Sequence, residues 1–272
     1  MQSLALASVV TFPLFNEFCV LKYSFELFHG DDFVWHVRCD RETETRLIHC
    51  HNVKCTVFAE TVKRRTVGDD GFQEIVAQKM IALDDAWRDT DTTQVLFMDA
   101  DLVITATLLE ELTSLQADLV LTPNHLPHKE QQLAPFHGYF NSGFILTRNP
   151  DFHRQWRDAF TSQPWLYSDQ VCLNEVVRQF KVKLLSSSAN IGFWHSKGGW
   201  CFDFNRLPPD CQFVHVHLFN TLKTHRGWVD RTFALHFLMF LKLSSDNMHQ
   251  LLLEKILRLD DSGWFAASLR LT

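Results

Sequence analysis

Residues 94–101 read QVLFMDAD, an apolar run of strand length that stops at two aspartates, Asp99 and Asp101, separated by Ala100. Upstream, Phe72–Trp87 (FQEIVAQKMIALDDAW) repeats its apolar residues every three to four positions, the period of an amphipathic helix. Further back, Ser8–Phe12, Phe33–Val37 and Cys55–Ala59 are short apolar or β-branched runs that predict strands, and Phe15–Phe28 carries helical spacing between the first two. Strands that alternate with helices, each apolar on both faces, define an α/β chain with a mostly parallel sheet between helical layers. In such sheets ligands bind beyond the carboxyl ends of the strands. The Asp pair stands at that end of its strand, so its position points to a site.

Downstream, Leu108–Leu115 predicts a helix and Asp118–Thr122 a strand stopped by Pro123. Asn124–Phe136 contains two prolines and two histidines and reads as a long surface connection. Tyr139–Leu146 is an apolar run interrupted by Asn, Ser and Gly. Helices are expected at Asp151–Phe160 and Asp169–Phe180, on either side of Pro164, and strands at Val182–Leu185 and Phe213–Leu218. The tail after Gly227, including Thr232–Leu243, has a strongly apolar helical pattern. The expected organisation is one domain over residues 1–226 and a C-terminal helical extension, 227–272, packed on it.

The chain has 272 residues, enough to bury a large core, and its 26 basic against 32 acidic residues give a net charge of -6. That balance excludes a broad nucleic-acid surface, which needs clustered Lys and Arg to neutralise phosphates. The one short basic run, Lys63, Arg64 and Arg65, reads as a solvated turn. An anionic ligand must therefore be held by a cation or by a few placed donors. The seven cysteines include no CxxC pair, which suits reduced thiols in a cytoplasmic setting. His49, Cys50, His51 and Cys55 suggest zinc only weakly, because the second paired half of a structural site is missing. The first fifteen residues are apolar but have no basic segment before them, and Asn16 and Glu17 interrupt them well short of a membrane span. They read as a buried first strand. Peripheral membrane contact through the C-terminal tail is the alternative for that segment, with Lys242 its only nearby basic residue.

Two carboxylates at the mouth of a buried strand can converge on one hard cation, magnesium or manganese, and such an ion neutralises charge on a leaving diphosphate. Taken alone, the pair is equally readable as loop aspartates that cap a helix. The surrounding motifs carry more. MDADLV (98–103), FNSGFIL (140–146), SDQVCLNEV (168–176) and HLFNTLKTH (217–225) resemble, in content and order, those of GT-A fold glycosyltransferases, the nucleotide-diphospho-sugar transferase group, with the nearest likeness to retaining families of the glycogenin and galactosyltransferase type.

That resemblance implies a Rossmann-like sheet, a UDP-sugar donor, a glycan or other hydroxyl acceptor, and Mn2+ or Mg2+ held by Asp99, Asp101 and His217. An imidazole beside carboxylates tilts the choice toward manganese. His215 shares the strand face of His217 and stays open as the ligand. The resemblance also puts Lys223 on the donor phosphates, although Thr224 and His225 replace the Pro-Trp that often follows. It brings Lys79, Ala100, Asn141, Ser142 and Gly143 to the donor, Thr11 and Phe12 to its base, and Asp169 and Gln170 beside the anomeric carbon. In the retaining families the diphosphate itself helps to deprotonate the acceptor; with inversion, Asp169 would be the general base. Trp194, His195 and Trp200, beside Gly198 and Gly199, offer aromatic planes for an acceptor sugar.

Two other readings share the motif. A haloacid-dehalogenase-like phosphatase would use Asp99 as nucleophile, but it normally has Thr where this chain has Val103 and carries its motif on an early strand. A catalytically silent nucleotide-binding scaffold would keep the fold without turnover.

Overall fold

The computed structural model describes residues 3–60, 62, 70–89, 91–124, 138–162, 169–186, 188–192, 211–219 and 227–270. They divide into two compact units, each discontinuous in sequence. The first comprises Met1–Pro13, Asp31–Ala100 and Leu109–Ser187; the second comprises Leu14–Gly30, Asp101–Leu108 and Ser188–Thr272. The expected boundary at 226 lies inside the second unit.

The first unit is α/β, built on a mostly parallel seven-stranded sheet flanked by helices. Its strands are β1 (Ser3–Val10), β2 (Trp35–Asp40), β3 (Val53–Ala59), β4 (Thr92–Met98), β6 (Leu119–Pro123), β7 (Phe140–Thr147) and β8 (Val182–Leu184), in the order β3-β2-β1-β4-β7-β6-β8. Only β7 runs antiparallel to its neighbours, β4 and β6. Its helices are α2 (Arg41–Leu47), α3 (Asp70–Trp87), α4 (Leu109–Ser114), α5 (Phe152–Ser162) and α6 (Asp169–Val176). Val76, Met80 and Leu83 of α3 pack with Ala5, Ala7, Val95 and Phe97 of β1 and β4, while Phe152 and Trp156 of α5 join Leu173 and Val176 of α6 in the same core. Burial of each such side chain stabilises by about 1.5–3 kcal/mol, which is why these central strands tolerate no polar face.

The second unit holds α1 (Phe15–His29), a three-stranded sheet in the order β5-β10-β9, and three C-terminal helices. The strands are β5 (Leu102–Ile104), β9 (Asn190–Gly192) and β10 (Phe213–His215); the helices are α7 (Gly227–Leu243), α8 (Asn247–Leu259) and α9 (Trp264–Arg270). Val20, Val103, Ile191 and Val214 share one core with Phe233, Phe237, Leu252, Ile256 and Phe265. Ser24 Oγ ties helix to sheet, donating to Leu21 O at 2.9 Å and accepting from Ile104 N at 3.0 Å. Lys242 is turned to the end of α9, where its Nζ donates to Leu269 O at 2.6 Å. Among the described residues, no helix is long and apolar enough to cross a membrane.

Several expected elements differ in extent. β1 begins five residues earlier than the β-branched run suggests and ends at Val10, because Leu4 to Ala7 are laddered to β4, with Ala5 to Ala7 buried, even though Ala has little strand preference. β2 is shifted toward Asp40, and β10 ends at His215, short of His217. α6 gives way at Val177 to a single 3-10 turn through Gln179. The reading missed α2, whose sequence RETETRL has almost no apolar stripe and is started instead by Asp40, whose side chain accepts from Thr43 N. It also missed β5 and β9, three residues each and too short to show a period.

Candidate active site

In the first unit, polar side chains gather at the carboxyl end of the sheet. The centre is Lys79, from the middle of α3. Its Nζ donates to Asp99 Oδ2 at 2.9 Å, lies 3.1 Å from Asp169 Oδ2 and 3.4 Å from Ser142 Oγ. Ser142 Oγ in turn donates to Asp169 Oδ2 at 2.5 Å. Lys79 is only 15% exposed, so it is not an ordinary surface lysine. Burial works against its charge, but Asp169 and Asp99 outweigh that cost and hold its pKa above the ordinary lysine value.

Each partner arrives by a different backbone device. Asp99 follows β4 directly, and its N–H donates to Gly143 O at 2.8 Å. Ser142 sits where β7 bulges against β6: Leu121 pairs with Ile145 but Thr122 pairs with Asn141, so the residues between lie outside the ladder. Gly143 is held inside the same irregularity, its N–H bonded to Asn141 Oδ1 at 2.8 Å. Asp169 opens α6, and its carbonyl oxygen accepts from buried Trp156 at 3.1 Å. From that position Asp169 directs its carboxylate to Lys79 and Ser142.

A ring of amides borders this cluster. Asn124 donates to Gly138 O and Phe140 O, both at 3.1 Å, and to Gln170 Oε1. Asn141 Nδ2 lies 3.4 Å from Asn124 Oδ1. Tyr139 N donates to Asn174 Oδ1 at 2.9 Å. Gly138 makes the arrangement possible, because its φ is +86° and a Cβ there would stand 2.6 Å from Gln170 Cβ. Ala100 is buried and contributes no side-chain chemistry.

At the ends of β1 and β2, Thr11 is buried and Phe12 is half-buried. Phe12 N donates to Asp40 Oδ2 at 3.0 Å, and the Arg46 guanidinium lies 4.6 Å from the Phe12 ring centre. Asp40 is fully buried and serves both Phe12 and Thr43. Neither Asp40 nor Arg46 was singled out from sequence. The one signal available was an Asp followed by RETETRL, a cap before a polar helix.

Asp101 belongs to the second unit. Its Oδ1 is 3.6 Å from His215 Nδ1 and its Oδ2 is 3.5 Å from His217 Nδ1, while its carbonyl oxygen accepts from Val216 N at 2.9 Å. His215 is almost fully buried and His217 is 27% exposed at its side chain. These separations are too long for hydrogen bonds. Two atoms that each bind one ion at about 2.1 Å stand roughly 3 Å apart at a right angle and about 4 Å apart across it, so each oxygen–nitrogen pair has a spacing that an ion can share. Carboxylate plus imidazole is a donor set suited to manganese. Among the described residues, no group of three or more His, Cys, Asp or Glu is arranged to hold an ion as it stands. The His49, Cys50, His51 and Cys55 cluster falls under the same statement.

Lys223, Trp194, His195 and Trp200, with Gly198 and Gly199, lie outside the described residues, as do Lys63, Arg64 and Arg65. No protein-family model matches the chain, and no curated protein matches it.

Proposed function

We propose that this protein is a metal-dependent, GT-A fold glycosyltransferase that moves a sugar from a nucleotide-diphosphate donor, a UDP-sugar, to a hydroxyl of a glycan or other acceptor, with retention at the anomeric carbon. One observation carries the reading. Residues from three motifs far apart in sequence, Asp99, Ser142 and Asp169, meet around one lysine at the carboxyl end of the sheet. Packing alone gives no reason for two carboxylates and a hydroxyl to share a half-buried ammonium there, and that end of an α/β sheet is where ligands bind.

On this reading Mn2+ or Mg2+ is held by Asp99, Asp101 and His217, and when bound it supplies Lewis-acid neutralisation of the departing diphosphate. Lys79 holds the Asp99 and Asp169 carboxylates in fixed positions. Asn141, Ser142 and the backbone of Gly143 offer donors and acceptors to sugar hydroxyls, and Gln170 places an amide beside the anomeric carbon. An amide is too weak a base to trap the sugar covalently, which favours deprotonation of the acceptor on the leaving-group side. Thr11 and Phe12 receive the base, and Lys223 the phosphates. Acceptor binding falls to Trp194, His195 and Trp200.

The test is a thermal-shift screen of nucleotide sugars with and without manganese, followed by donor hydrolysis. A ligand that binds only the native state raises the melting temperature, and here the rise with UDP-sugar requires the metal. Asp101→Ala abolishes manganese-dependent hydrolysis while the melting temperature without ligand stays near wild type; an undiminished rate overturns the assignment. His217→Ala weakens manganese binding more than His215→Ala, and the opposite ranking moves the ligand to His215.

A further inference from the structure

Glu17 stands in the first turn of α1 with only 2% of its surface exposed, on a helix whose other buried positions include Phe18, Val20, Leu21 and Phe25. A buried carboxylate is unfavourable unless its oxygens are partnered, and a leucine would fill the same space without that penalty. The partner comes from 202 residues away: Glu17 Oε1 accepts from Phe219 N at 3.1 Å. The positive end of α1 favours a negative charge at this place as well.

Phe219 lies two residues beyond His217, on a stretch that has left the sheet. β10 pairs with β5 as far as His215, opposite Leu102. Beyond that pair, Val216 N donates to Asp101 O at 2.9 Å, and Phe219 N is held by Glu17. Val216 and Leu218 are buried, and the Phe219 ring packs edge-on to Phe265 with 5.8 Å between ring centres. His217 is therefore anchored on both sides, and its Nδ1 is kept 3.5 Å from Asp101 Oδ2. All of these residues belong to the second unit.

We infer that Glu17 is a positioning residue for the metal centre proposed above, an inference that rests on that reading: by holding Phe219 N it keeps the His217 imidazole beside Asp101, where the two can share one ion. A metal ligand has to be held within about 0.5 Å of its working place by the groups that surround it. Backbone outside a ladder has no regular partners to supply that precision, so a buried acceptor does it here. Loss of a group that orients a ligand commonly weakens metal binding by about 10–100-fold.

The test titrates MnCl2 into the intact 272-residue chain, follows free Mn2+ by its electron paramagnetic resonance signal, and measures amide hydrogen exchange over 211–219 without metal. Glu17→Leu keeps the volume and removes the acceptor. It is expected to weaken Mn2+ binding about tenfold or more and to speed exchange at Phe219 N. Glu17→Gln restores both, because an amide oxygen still accepts from that N–H. In a His217→Ala background Glu17→Leu weakens Mn2+ binding no further, since its effect runs through that ring. Unchanged Mn2+ affinity in Glu17→Leu, losses that add in the double variant, or a loss in Glu17→Gln as large as that of His217→Ala would each overturn the inference; the Gln variant decides the matter if Glu17→Leu fails to fold. A wild type that binds no Mn2+ while Phe219 N stays protected removes the metal centre itself, an outcome distinct from one in which His217→Ala loses Mn2+ and Glu17→Leu does not.

Discussion

Lys79 shows what a residue's neighbours do that its sequence context cannot announce. On paper it is one lysine on an amphipathic helix; folded, it balances Asp99 and Asp169 at 2.9 and 3.1 Å. Removing one member of such a group leaves the others uncompensated. Lys79→Met is expected to lower stability by on the order of 2 kcal/mol, less than the roughly 3–5 of a fully buried pair because the group keeps some solvent, measured by urea denaturation at neutral pH. The sign with pH follows from the raised pKa. The stabilisation is complete below the unfolded lysine value of 10.5 and is lost as pH climbs through the higher folded value. The wild type therefore loses stability on alkaline titration along a slope that Lys79→Met lacks. Asp99 and Asp101 were legible because a strand stopping at two acids is a local pattern. Asp40 and Arg46 were not, since their roles are set by Phe12, 28 residues before Asp40 along the chain.

Among the elements, those with a clear period were read correctly, while of the three-residue strands β8 and β10 were expected and β5 and β9 were lost. α1 and α3 carry apolar stripes long enough to register; α2, β5 and β9 are set by a cap or by sheet partners that sequence spacing does not reveal. The bulge in β7 is legible in part, because Asn-Ser-Gly within an apolar run marks an interruption, but its direction depends on β6. Gly138 is a sharper case, since nothing in its flanking sequence states that Gln170 crosses within contact of it. Gly138→Ala is expected to cost about 1–3 kcal/mol through a left-handed backbone and overpacking together, with the drop in melting temperature as the measure. At the end of α1, burial lowers the pKa of His29 from 6.5 to about 4. Its neutral form is stable in the fold above the unfolded value, and stability is lost as pH falls from 6.5 toward 4, where the unfolded chain takes up the proton first. His29→Leu should flatten that part of the acid-denaturation curve.

Over the whole molecule, the α/β class and the mostly parallel sheet follow from alternating strand and helix patterns, whereas the partition into two units does not. Cores assemble from segments distant in sequence, and no local period encodes which segments will share one. α7, α8 and α9 supply most of the aromatic side chains of the second unit's core, including Phe233, Phe237 and Phe265. A chain ending at residue 226 would strip cover from Val20, Val103 and Val214; limited proteolysis should then cut within 188–192 or 211–219, where the full chain resists. The ammonium between two acids has a consequence at this scale too. Among the described residues, Lys79 sits between two carboxylates, and the molecule as a whole carries -6. If the ligand is the proposed nucleotide diphosphate, it meets a repulsive potential when it arrives without a counterion, and its encounter rate then rises with ionic strength.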